Sequence, residues 1–111
     1  MNRLIATSSR PKPLAVGLVW HVAGDREATR RVRRVSLAAW AHREGYCLMQ
    51  TFETDGSALH DELAISALID VSGRIGVRLV LALGVGDPYR CAEPLERAGL
   101  RVVSVAGARS P

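Results

Sequence analysis

Four short apolar runs, separated by stretches of helical character, constrain this chain more than any other feature. They read LAVGLVWHV at 14–22, YCLMQTFE at 46–53, VRLVLAL at 77–83 and LRVVSV at 100–105. Each has the length of a strand, and the first is nearly uninterrupted, the pattern of a strand buried on both faces. Asp25 stands where it can cap a helix that runs without Gly or Pro through Glu44 and closes at Gly45. Ser57 can cap a second, with Asp61 and Glu62 in its first turns and an end at Ser72-Gly73. A third, opened by Asp87-Pro88, meets Pro94 and closes at Gly99, so it must be short or kinked. Strands alternating with helices imply βαβ units. The expected fold is a three-layer α/β/α sandwich with a mainly parallel sheet of four to five strands over residues 14–106. A flexible leader (1–13) and a loose tail (107–111) flank it.

Composition bounds the partners. The chain has 111 residues, 48% of them hydrophobic, enough for one domain with a core. No apolar run approaches the ~18 residues of a membrane span. The start, MNRLIATSSRPKP, lacks the apolar core of an export signal. Cys47 and Cys91 are therefore expected as reduced thiols in a cytoplasmic protein. The net charge of +4 is carried almost wholly by arginine, Lys12 being the sole lysine, and permits an acidic partner such as DNA.

Helical periodicity assigns faces. On the first helix Ala28, Val32, Val35 and Ala39 form one stripe, expected to pack on the sheet. Arg26, Arg30, Arg33 and Arg34 gather opposite, as a solvated face or a nucleic-acid-binding one, with Leu37 and Trp40 intruding. The second helix is apolar on two sides. Leu59, Leu63, Ala67 and Val71 would face the sheet, leaving Ala58, Ile65, Leu68 and Ile69 over. Leu37, Trp40, Ile65, Leu68 and Ile69 are thus the expected interface to a protein partner or a second copy.

Residue chemistry excludes several activities. His21, His42, His60, Cys47 and Cys91 show no metal-ligand spacing, so no metal and no cofactor is expected. Gly84-Val85-Gly86 follows the third strand without the rest of a phosphate-binding motif. A phospho-receiver would need an acidic pair after the first strand, where Asp25 stands alone, and a lysine after the last, where Ser104-Val105-Ala106 stands. Cys47 suits a small buried hydrophobe. The strand ends offer His21, Asp25, Glu53, Asp55 and Asp87, which a doubly wound sheet would bring together, as an alternative small-ligand or phosphate site.

Several segments resemble the N-terminal catalytic domain of the resolvase/invertase family, the serine recombinases. The opening VGLVWHVAGD is similar to that family's first strand and polar turn. AWAHREGYCLMQTFE reproduces its helix end and second strand, and LIDVSGRIGVRLVLAL and LERAGLRVVSV its later segments. The resemblance implies a resolvase-like fold over about residues 14–106, and departures at its functional positions. The nucleophilic serine is replaced by Ala23, the phosphate-binding arginine by His21 and the strand tyrosine by Val19. LALGVGDPYR stands where the family has an arginine-bearing motif, with Arg90 out of register. Phosphoryl transfer by that route needs a hydroxyl nucleophile and cations around the developing charge. The expectation is a non-catalytic relative, without the family's long dimerisation helix and helix-turn-helix module, that acts in regulation or protein association.

Overall fold

The computed structural model describes residues 12–84 and 92–105. Four strands and three helices alternate: β1 (Leu14–Trp20), α1 (Glu27–Arg43), β2 (Cys47–Thr54), α2 (Ala58–Ile75), β3 (Leu79–Gly84), α3 (Ala92–Arg97) and β4 (Arg101–Ser104). The strands form one sheet in the order β2-β1-β3-β4, every neighbouring pair parallel. The α/β architecture expected from the apolar runs is present. All of the leader except Lys12 and Pro13, the whole tail, Asp87 and Cys91 lie outside the described residues.

β1 sits centrally, and its side chains divide the core into two layers, as strand geometry requires. Val16, Leu18 and Trp20 join Ile65 and Leu68 of α2, Leu95 of α3, and Val80. Ala15 and Val19 face the opposite way, against Leu37 and Ala41 of α1 and Leu81 and Leu83 of β3. Gly17 faces α1 with them. A Cβ built there would lie 2.7 Å from Leu37 Cδ2 and 3.1 Å from Thr51 Oγ1, so glycine lets the helix approach the sheet closely.

Both helices present faces other than those expected. On α1 the buried residues are Leu37 and Ala41, while Val32 and Val35 are 63% and 59% exposed. On α2 Ile65 and Leu68 are buried, Ile69 packs against them, and Leu59 and Leu63 are 63% and 59% exposed. Leu37, Ile65 and Leu68 are therefore buried core residues of this domain, with Trp40 and Ile69 half-buried against them, rather than an outward interface stripe. The cause lies at the ends of the strands. α1 runs back along the sheet from their C-terminal ends, and its first turns meet carboxylates there. Arginines consequently belong on its inner face at that end and Leu37 and Ala41 farther along.

Helix ends follow local chemistry, with two corrections. Ser57 caps α2, its hydroxyl accepting from the His60 N–H at 3.2 Å. That helix continues one turn past Ser72-Gly73 and stops at Gly76, whose φ is +73°. Asp25 does not cap α1: Arg26 holds that position without a side-chain bond. α3 is the short element implied by Pro94, which lies in its first turn. Cys47 is exposed rather than buried, because β2 is an edge strand pairing only with β1.

Candidate functional site

The C-terminal ends of β1 and β2 hold the densest polar cluster among the described residues. The ladder pairs Val19 with Glu53 and Trp20 with Thr54, and the His21 N–H extends it to the Thr54 carbonyl at 2.7 Å. The chain then turns sharply, the Asp25 N–H donating to the Val22 carbonyl at 3.0 Å. Gly24, at the turn's third position with φ +90°, supplies the backbone conformation that a side chain would oppose. Asp25 Oδ2 accepts from the Val22 N–H at 2.8 Å, so this carboxylate closes the turn. Ala23, at its tip, is exposed.

His21 is buried, and both ring nitrogens have partners. Arg33 Nη1 lies 3.0 Å from His21 Nδ1, and His21 Nε2 lies 2.7 Å from Glu53 Oε1. A guanidinium can only donate, so Nδ1 accepts from Arg33 and the Nε2–H donates to Glu53. Arg33 Nη1 also donates to Asp25 Oδ2 at 2.5 Å. Arg34 donates to Glu53 Oε1 at 2.9 Å and to Glu27. The result is an alternating chain of Asp25, Arg33, His21, Glu53, Arg34 and Glu27.

The titration directions agree with this pairing. The Arg33 hydrogen bond, with the Val22 N–H behind it, holds the Asp25 carboxyl below its ordinary range. Burial pushes the Glu53 carboxyl up, but hydrogen bonds from His21 and Arg34 outweigh it and the net direction is down. Arg34 is raised by Glu27 and then Glu53. Asp55 stands apart, held at about 2 by the Ser57 N–H and by His60.

These contacts place the expected site residues. His21, Asp25 and Glu53 do converge, but on Arg33 and Arg34 and on one another. With its ring enclosed and both nitrogens engaged, His21 can hold elements together but has no free nitrogen for a substrate. Asp55 accepts from the Ser57 N–H and pairs with His60. Asp87 lies outside the described residues. Of the four arginines proposed for nucleic acid, Arg33 and Arg34 are neutralised by carboxylates, Arg30 donates its Nε–H to the Asp25 carbonyl at 3.3 Å, and Arg26 is exposed. Val19 is a buried strand residue of the α1 side. Gly84 is explained by packing: a Cβ there would lie 2.4 Å from Trp20 Cβ. Val85 and Gly86 lie outside the described residues.

Sequence reasoning missed one buried polar pair. Thr54 Oγ1 donates to Asp61 Oδ1 at 2.6 Å, tying the end of β2 to the first turns of α2. Its only signal was a polar residue closing a strand and a carboxylate opening the next helix. Among the described residues no group of three or more His, Cys, Asp or Glu could hold a metal ion, and no helix is long and apolar enough to cross a membrane.

No protein-family model matches this chain, and no curated protein is similar to it in sequence. Its fold is similar to a solved structure, the C-terminal catalytic domain of ISC1926 TnpA, an IS607-like serine recombinase. The likeness has a TM-score of 0.64 and 15% sequence identity, and covers 82% of this chain and 67% of that one. At that identity it concerns the fold, which is serine-recombinase-like.

Proposed function

We propose that this domain is a non-catalytic relative of the serine-recombinase catalytic domain, acting in regulation through association with another protein or a second copy. The observation that carries the reading is the end of β1. Where the sequence resemblance puts a nucleophilic serine, Ala23 presents a methyl group that cannot attack a phosphodiester. The neighbouring cations are engaged as well: Arg33 and Arg34 face Asp25, Glu53 and Glu27 rather than an open phosphate site.

Association has its own support in the outward helix faces. Val32 and Val35 on α1, and Leu59 and Leu63 on α2, are large apolar side chains left in water. They replace the five residues first expected at an interface. Incubating the full chain with supercoiled, nicked and linear DNA, then denaturing, tests the chemistry: no protein–DNA adduct is expected, and a covalent adduct would overturn the reading. Sedimentation of the wild type alone and with native-cell extract, against Val35→Glu and Leu63→Glu, tests association. A complex weakened by either substitution is expected.

A further inference from the structure

We propose that the groove between α2 and α3 is a binding site for a small organic cation with an apolar body. The groove is a shallow one, open to solvent on one side, with a volume of about 490 Å³, inside the range of roughly 300–1,000 Å³ usual for small-molecule sites. Ile65, Ile69, Ala58 and Pro94 supply apolar walls, and Asp61 and Glu62 supply two carboxylates. This site is separate from the strand-end network and goes beyond the association reading.

Asp61 decides the sign of the ligand. It is 9% exposed, and the hydroxyl of Thr54, itself buried, fixes Oδ1 at 2.6 Å. Asp25, Glu27, Glu53, Asp70 and Glu93 each have an arginine within ion-pair distance and Asp55 has His60, whereas the exposed Glu44 and Glu96 have no such partner among the described residues. Asp61, the one buried carboxylate among the described residues, has no such partner there, and neither does Glu62 beside it. A carboxylate shielded from bulk water attracts a counter-charge more strongly than one in open solvent. An ammonium or guanidinium entering the groove would complete the pairing while its apolar body covered Ile65 and Ile69. A phosphate or carboxylate would meet like charge, so the groove selects against the anions that a recombinase-like fold brings to mind.

The test holds the body constant and changes the head. Uniformly labelled full-length protein is titrated by NMR with phenethylamine, 2-phenylethanol and 3-phenylpropionate. The amine should shift the amides of residues 58–69 saturably and bind at least ~10-fold more tightly than the alcohol, with no saturable effect from the acid. Asp61→Asn should remove the amine's advantage, and Glu62→Gln, an exposed substitution that leaves the core intact, should reduce it several-fold. Equal binding of all three probes would overturn the proposal. So would an undiminished preference in both variants, or no groove shift with the amine at ~20 mM. None of these results bears on association, which is read by sedimentation.

Discussion

His21 Nε2 lies 2.7 Å from Glu53 Oε1, a side-chain link between the C-terminal ends of two adjacent parallel strands. Arg33 donates to the ring's other nitrogen, so one imidazole joins β1, β2 and α1. Replacing His21 with Ala should destabilise the fold by roughly 2–4 kcal/mol, because it leaves a cavity and strands Arg33 and Glu53. Urea unfolding followed by circular dichroism measures this, and a change within experimental error would remove the structural role assigned to the ring.

Acid should weaken the protein through carboxylates held below their ordinary range. Asp55 is held at about 2, and Asp25 and Glu53 are shifted in the same direction. For each, the unfolded chain binds the proton more readily than the folded one. Their contribution is therefore complete above the unfolded value near ~4 and disappears as pH falls through the folded value. Urea midpoints measured from ~pH 6 down to ~2 should fall steadily below ~5, and Asp55→Asn should flatten part of that slope. A midpoint that stays level or rises on acidification would contradict the assignment.

Three glycines should respond differently to one added methyl group. Gly17→Ala drives a Cβ against Leu37, and Gly84→Ala drives one against Trp20. Each should cost about 1–3 kcal/mol. Gly73, inside α2 with nothing within 4 Å of its would-be Cβ, should gain about 0.5–1 kcal/mol as alanine. Thermal melts of the three variants give the order directly.

The exchange of helix faces is equally testable. Leu37→Ala and Leu68→Ala remove fully buried side chains and should each lose about 2–5 kcal/mol. Val35→Glu and Leu63→Glu alter exposed positions and should stay within about 0.5 kcal/mol of wild type. Had the inner and outer stripes been those read from periodicity, the two pairs would exchange their effects.

Much of the fold was legible because it rests on local patterns. The nearly uninterrupted run from Leu14 to Val22 marked a strand buried on both faces, Ser57 marked a helix start, and Gly45 and Gly99 marked ends. The placement of Asp25 at a helix start was right to within two residues, but its role was not. The wheel of α1 failed because periodicity weighs arginine as a solvent residue, whereas Arg33 and Arg34 point inward to carboxylates contributed by a turn and by β2. α2 was ambiguous for a plainer reason: with apolar residues on both sides, no count of its own sequence tells which side meets the sheet.

Local residue patterns account for the alternation of strands and helices, the parallel sheet that follows from it, and the alanine at the tip of the first strand's turn. These depend on backbone preferences and apolar spacing, which act over a few residues. Long-range packing settled which face of each helix is covered, that His21 is enclosed between Arg33 and Glu53, and that Asp61 is buried beside the Thr54 hydroxyl with no cation within ion-pair distance among the described residues. Those outcomes depend on which charged groups are brought within a few ångströms by segments distant in the chain, and long-range pairing of that kind leaves no periodic trace.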